Sequence, residues 1–538
     1  MENVFALIMG AVLILVVLTG FIALEGGFSR AKNTGSVMMK CLSGFCLGVL
    51  AFLLVGRYLL WTGNEKPADV MWETMAVAVM TAVFSGGVME RISFTAHTVS
   101  CLLLAGVLYP LLLKGILLVP AGADFQDMKS FGLACLAGSG AAFGGARVLG
   151  ARIGKYTKGG VPHAMPGHNI PLSICGETLL AGGFALMACC VAGGQGADED
   201  QLLRAAENLI LSASVSGAVV LLFTKLRYKK PDITVSAGGF LTGIVAAIPS
   251  CIYMGRGGVC ALAVLAGFFS VLMIENMDRN MKVDDPAGLC SIFGVAGILG
   301  LLAVGISSTE GGLAHGGGIL LLAIQLLAGI WAFAFAGAGT ALVFWLLKKA
   351  GRLRLTAAEE IEGADISEYG IMSVYHDFAM NIDTTDWSDA YLEAQTDGRR
   401  EEVELHKPYV YPPIEEAHQP LTKIEIIARK EKLENLKTAL NDIGITGMTV
   451  FPVTGCGVQK GYNEFYRGVP VAVQLRAKIR VEVVVAKVPV DEVVNTVRRV
   501  LYTGHVGDGK IFIYTLDDVV RVRTGESGYD AMQGASSE

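Results

Sequence analysis

From residue 4 to 347 the apolar positions form long unbroken runs, and after residue 421 they recur in short periodic groups. The runs lie near 4–24, 37–61, 70–89, 95–119, 131–152, 171–193, 205–224, 233–254, 257–275, 287–306 and 319–347. Each is long enough for a helix crossing about 30 Å of hydrocarbon, so about eleven spans are predicted. The first run is too long for the apolar core of a signal peptide and lacks a basic flank, which makes it a retained span. Between the two regimes lies the segment EIEGADISEYG at 360–370, where lipid-compatible sequence stops.

The second regime changes period. KIEIIA at 423–428 alternates and predicts a strand, and KEKLENLKTALNDIG has helical spacing that ends at Gly444. ITGMTVFPV at 445–453 predicts a second strand, and the polar stretch 455–478 is too long for a tight turn and predicts a functional loop. KIRVEVVVA at 478–486, a helix stopping at Gly504, and KIFIYTL at 510–516 complete the pattern. The order β-α-β-β-α-β predicts an α+β ferredoxin-like domain. Four segments follow: a membrane domain at 1–352, a tail at 353–375, an acidic linker at 376–420 and a soluble domain at 421–538. Pro412 and Pro413 bias the linker away from helix.

Composition agrees with this class, since 53% hydrophobic and 17% charged residues are too apolar for a wholly soluble chain. Alternate loops carry Arg30 and Lys32, Arg91, Arg152 and Lys155, Lys225 to Lys230, and Arg279 and Lys282. Basic loops stay cytoplasmic, so the N-terminus is expected outside and the soluble domain inside, at the plasma membrane. Nucleic acid is not an expected partner of a chain with net charge -6. All cysteines except Cys456 lie within or beside apolar runs without CxxC spacing, and read as small buried hydrophobes. Glu177, a carboxylate in an apolar run, is open to two readings, a functional ionisable group or a helix neighbour's hydrogen-bond partner.

The motifs then narrow the class. ALEGGFSRAKN at 23–33, GGVMERISF at 86–94, GHNIPL at 167–172, KVDDPAGLCSIFGVAGILG at 282–300 and EEIEGADISEYG at 359–370 together resemble the ammonium transporter (Amt/Rh) family. The resemblance implies a trimer that recruits ammonium beneath a Trp, passes it between two Phe rings and then along two pore histidines. Here Cys135 and Phe293 take the histidine positions, and Ala76 and Met187 take the Phe positions. No Trp lies between Trp72 and Trp331, so the recruiting Trp is missing as well. Trp72 is left with core packing or a weaker cation–π site. Asp127 matches the family aspartate that orders ammonium recruitment, in DMKSF where DFAGG is usual, with Asp124 as an alternative match. Glu25 stands where an aromatic residue is usual.

The soluble domain has its own resemblance. TGHVGDGKIFI at 503–513, FYRG at 465–468, VQKG at 458–461 and RVRTGESGYDAM at 521–532 resemble the PII nitrogen-regulatory proteins. Gly507, Asp508, Gly509 and Lys510 suit phosphate through backbone N–H groups and one ammonium, and Arg521 and Arg523 add planar donors. The resemblance implies ATP or ADP between subunits of a trimer, with Thr449, Gly455 and Gly457 in the pocket. It also implies 2-oxoglutarate bound with Mg-ATP through Gln459 and Lys478, and an intracellular signalling partner met by the loop 455–478. Cys456 and Val458 replace the usual Phe and Arg, which leaves ATP-over-ADP preference open, and Val471 replaces the tyrosine that is uridylylated in many members. Two readings remain: an ammonium, ammonia or small-solute permease gated by its own PII domain, or an ammonium receptor without conduction. An enzyme is not expected.

Overall fold

The structure is a computed structural model describing residues 4–61, 65–117, 125–157, 159–309, 311–371, 421–429, 432–445, 447–455, 463–466, 469–472, 476–486, 488–502 and 508–532. The chain divides into a membrane unit and a C-terminal unit, each treated by itself.

Among the described residues, eleven helices are long and apolar enough to span a membrane. They are α1 Ile8–Phe28, α2 Ala31–Leu60, α3 Pro67–Val88, α4 Phe94–Leu117, α5 Phe131–Leu149 and α6 Ile170–Gly194, followed by α7 Glu199–Tyr228, α8 Ile233–Ser250, α9 Arg256–Met281, α10 Leu289–Ser307 and α11 Leu320–Lys349. Each matches one apolar run. Helix α7 starts ahead of its run because Asp198 accepts from the Gln201 N–H at 2.7 Å while Gln201 Oε1 accepts from the Asp198 N–H at 3.0 Å. That capping box satisfies two terminal donors and lets polar residues extend the helix. Helices α1 and α6 meet backbone to backbone, for a Cβ at Gly176 would lie 2.4 Å from the Leu24 nitrogen. Close approach of this kind is how helices associate where lipid removes the hydrophobic drive.

Charged residues at one set of helix ends are buried, and they are paired. Asp284 accepts from Arg152 Nε at 2.9 Å and Nη2 at 3.0 Å. Arg152 also donates to Glu90, which in turn accepts from Arg30 and from the Asn33 amide at 2.7 Å. Arg91 donates to the carbonyls of Gly150 and Asp284, both at 2.8 Å. Burial pushes the Asp284 carboxyl up, but Arg152 and Arg91 prevail and hold it well below the usual carboxylate range. These contacts join the α1/α2, α3/α4, α5/α6 and α9/α10 loops.

The tail closes over those loops with three carboxylates on two short helices, α12 Ala357–Glu362 and α13 Ala364–Tyr369. Asp365 accepts from the N–H groups of Gly35 at 3.0 Å and Ser36 at 2.6 Å, at the start of α2. An anion there satisfies orphan donors and meets the positive end of the helix dipole. Glu368 accepts from Lys40 Nζ and from the Phe94 N–H, both at 2.6 Å. Glu360 accepts from the Ile153 N–H and from Arg354, both at 2.7 Å.

The C-terminal unit has a four-stranded antiparallel sheet in the order β2-β5-β1-β6. Its strands are β1 Leu421–Ala428, β2 Thr449–Gly455, β5 Arg476–Val485 and β6 Lys510–Leu516. Helices α14 Leu433–Asp442 and α15 Val490–Leu501 cover one face, burying Leu436, Leu440, Val493 and Val497 against Ile424, Ile426, Val481 and Val483. This is the expected ferredoxin-like order. Two details differ from the sequence reading. Strand β2 begins at Thr449 instead of 445, because Gly444 and Ile445 close the end of α14, with N–H groups that donate to the Asn441 and Leu440 carbonyls. The stretch expected to be a loop contains a two-stranded sheet, β3 Asn463–Tyr466 with β4 Val469–Ala472.

Removing one partner from a buried charge cluster leaves the others unpaired, at a cost of about 3–5 kcal/mol. Arg152→Ala takes one guanidinium from both Glu90, which keeps Arg30 and Asn33, and Asp284, which keeps Arg91, and is expected to lower the thermal midpoint of the detergent-solubilised protein markedly. An unchanged midpoint would contradict this account of the inner loops.

Candidate functional site

Four elements build one end of the candidate site. Trp72 and Ala76 on α3, Met187 on α6, Phe131 at the start of α5 and Lys129 just before it line one small cavity of about 20 Å³. That is room for about one water-sized molecule. The two positions expected to carry gate rings therefore face the same space, but with Ala76 and Met187 no pair of rings stacks there. Trp72 is 4% exposed and forms part of the wall.

Asp127 shapes this end from behind. Its carboxylate accepts from the N–H groups of Met128 at 2.8 Å, Gly132 at 3.1 Å and Leu133 at 3.0 Å, which caps α5. Burial pushes the carboxyl up to about 6, against the pull of those donors. Both oxygens are thus committed to the turn. Beside it, Ser130 Oγ donates to Glu73 at 2.7 Å, and Tyr109 Oη donates to the other oxygen of Glu73 at 2.7 Å. Lys129 Nζ lies 2.9 Å from Asp69.

Deeper in the bundle, Cys135 and Phe293 are wholly buried in one apolar cluster. Phe293 packs against Phe21 at 5.7 Å between ring centroids and against Phe184 at 6.0 Å. Phe184 also meets Phe131 edge-on at 5.3 Å, which carries the ring stack up to the outer cavity. The ring at the second histidine position is therefore one of four in contact. Among the described histidines none lies in α5 or α10; His168 instead donates from Nδ1 to the Ser29 carbonyl at 2.9 Å, in a loop. Glu25 accepts from Ser85 Oγ at 3.1 Å and is fully buried, as is Glu177 at 1% exposure.

Reading the sequence did not reveal Phe21 and Phe184 as partners of Phe293, nor Asp69 as the partner of Lys129. Only the departure DMKSF hinted at the second pair.

In the C-terminal unit, Thr449, Lys510 and Arg523 are exposed and Lys478 is partly buried. Arg521 donates to Glu526 at 2.6 Å and to the Ala531 carbonyl at 3.0 Å. Asp508 is 3.5 Å from Arg429. Gly509 has φ 128°, and a Cβ there would lie 2.3 Å from the Ile427 carbonyl oxygen, so the GDGK turn demands glycine at this point. Gly457, Gln459 and Gly507 lie outside the described residues, and of Gly455 only the strand assignment is described. Thr449 is on one edge strand and Lys510 on the other. Three strand steps of about 4.8 Å separate them by roughly 14 Å. One copy does not bring them together.

An eleven-span bundle, continued by a ferredoxin-like domain with a GDGK turn, defines a membrane protein with an attached α+β domain. Comparison with known proteins gives the family. The Ammonium Transporter Family model matches residues 4–71 and 63–374, and the Nitrogen regulatory protein P-II model matches residues 421–526. The chain is 31% identical over 416 residues to Ammonium transporter Amt2 of Archaeoglobus fulgidus, covering 69% of this chain and 88% of the relative. It is 46% identical over 110 residues to the Nitrogen regulatory PII-like protein of Bacillus subtilis, covering 20% of this chain and 95% of the relative. A solved structure named Sensor Amt Protein superposes with a TM-score of 0.62 at 23% identity, covering 68% of this chain and 98% of that one. The chain belongs to the ammonium transporter family and carries a P-II domain at its C-terminal end.

Gly509→Ala forces a side chain into a backbone region that costs of order 1–3 kcal/mol for residues other than glycine. The melting transition of the P-II domain in the full-length protein is expected to fall by several degrees. An unaltered transition would show that the turn is not held as described.

Proposed function

We propose that this chain is an ammonium receptor built on the transporter fold, in which occupancy of the outer vestibule is passed to a PII domain that reads ATP or ADP and 2-oxoglutarate. The observation that carries the reading is the packing of Phe293 against Phe21 and Phe184 where the family's proton-sharing histidines would stand. A dehydrated cation at that level meets hydrocarbon edges and faces, with no histidine on α5 or α10 to take it over. Desolvating an ion costs many kcal/mol unless other groups replace its water. Asp127 orders the vestibule through its hold on the α5 turn. The tail supports the second half of the reading, because Asp365, Glu368 and Glu360 bind the ends of α2, α4 and the α5/α6 loop immediately before the linker. A shift of those ends displaces the segment that leads to the PII domain.

In this reading the protein is a homotrimer in the plasma membrane, with its N-terminus outside and the PII domain in the cytoplasm. The separation of Thr449 from Lys510 within one copy supports a nucleotide site shared between copies. Lys510, Arg521 and Arg523 would meet the phosphates, and Lys478 with Gln459 would hold 2-oxoglutarate and Mg. The loop 455–478 would present the outcome to an intracellular partner. The second reading, a permease gated by its own PII domain, is favoured by one observation: all eleven spans and the tail of the fold are retained.

Ammonium added to the full-length protein is expected to change its affinity for ATP or ADP, and Asp127→Ala should remove that response while leaving nucleotide binding intact. Calorimetry showing the same nucleotide affinity with and without ammonium would defeat the receptor reading. Within the PII domain, Lys510→Ala combined with Arg523→Ala should abolish nucleotide binding. Lys478→Ala should abolish the binding of 2-oxoglutarate, which is expected only with Mg-ATP. Binding that persists in these variants would displace the pocket assignment.

A further inference from the structure

The outer vestibule holds a cation of the chain's own. The turn into α5 places two successive non-glycine residues in the left-handed region, Lys129 at φ 47° and Ser130 at φ 59°. Residues with a side chain rarely adopt that conformation. Here it is fixed from several sides. The Lys129 N–H donates to the Asp127 carbonyl at 2.8 Å, the Asp127 carboxylate caps the residues that follow, and Ser130 Oγ is tied to Glu73. The strained turn sets Lys129 against the cavity that Trp72, Ala76 and Met187 also line. From there Nζ reaches Asp69 at 2.9 Å.

Asp69, Trp72 and Ala76 stand at i, i+3 and i+7 on α3, so the carboxylate, the indole ring and the vacated gate position share one helix face. The Lys129 and Asp69 side chains are 30% and 35% exposed, which leaves the pair open to exchange with a solute from outside. A lysine side chain ends in a primary ammonium group, a compact positive charge with several N–H donors. Free ammonium and methylammonium present the same chemistry.

We propose that Lys129 is a tethered surrogate ligand, which holds Asp69 beside Trp72 until free ammonium or a small alkylammonium displaces it. The proposal rests on the receptor reading, and it adds a threshold and a lever to it. A short tether gives the attached group an effective concentration on the order of millimolar, so a free competitor must approach that level before it occupies the vestibule. Displacement then frees the Lys129 side chain from α3, while Asp127 and Glu73 keep their hold on the turn at the start of α5. Selective exclusion of trace ammonium follows from the competition alone.

The test is the binding of radiolabelled methylammonium to the full-length trimer in detergent, by scintillation proximity, with ammonium chloride as competitor. Lys129→Met and Lys129→Gln each remove the tethered charge and are expected to lower the half-saturating concentration about tenfold or more. Lys129→Arg, which restores a cation, should bring it back toward the starting value. Adding Asp69→Asn to Lys129→Met should cancel the gain. Unchanged half-saturation in both neutral variants, or a gain that survives Asp69→Asn, overturns the proposal. The assay reads binding alone, so an ammonium current carried by the unmodified protein would defeat the receptor reading without altering this result.

Discussion

A small cation leaves water only where something else solvates it, and every feature of the membrane unit can be weighed against that constraint. Carboxylates, ring faces and imidazoles are the groups that can take over from water inside a helical bundle. In the proposed reading they are withdrawn from the middle of the bundle and kept toward its ends. Cys135 and Phe293, the positions expected to carry the relay, are apolar and buried; Phe21 and Phe184 pack against Phe293, and Phe131 packs against Phe184. The outer end keeps its carboxylates, but each has a protein partner: Asp127 has backbone donors, Glu73 has two hydroxyls, and Asp69 has Lys129. In the proposed reading, that arrangement favours recognition at the mouth over passage through the middle.

The opposite end follows the same electrostatic logic with another outcome. Glu90, Arg152, Asp284 and Arg91 are buried together with Arg30 half-buried beside them, where an unpaired member would be strongly unfavourable, so the four loops they join are obliged to move as a set. The tail docks on that set through Asp365, Glu368 and Glu360. A contiguous run of contacts therefore links the span ends to the residue at which the tail ceases to be described, Ile371. Coupling between two sites requires an element whose state both can bias. The tail is placed to be that element.

Much of this was legible beforehand, for reasons particular to each feature. The spans could be read because uninterrupted apolar length is the membrane's own requirement, and the strand order because period-two alternation switches visibly to helical spacing after Ala428. Ala76 and Met187 could be placed by counting from ERISF and HNIP, and they do line one cavity. The ring cluster could not be read. In α1, α6 and α10 almost every position is apolar, so periodicity does not separate Phe21, Phe184 and Phe293, which face inward, from the lipid-facing residues beside them. Lys129 was hidden because its placement depends on a left-handed turn that its own residue type disfavours. The β3–β4 pair escaped notice because four-residue strands are too short to show alternation.

The central claim is that the ring cluster around Phe293 closes the pathway to ammonium. The most direct measurement is the current evoked by an ammonium pulse across proteoliposomes that contain the full-length protein, compared with empty liposomes. The account predicts no saturable, ammonium-specific current above the control. A saturable current that Asp127→Ala eliminates would contradict it and restore the permease reading.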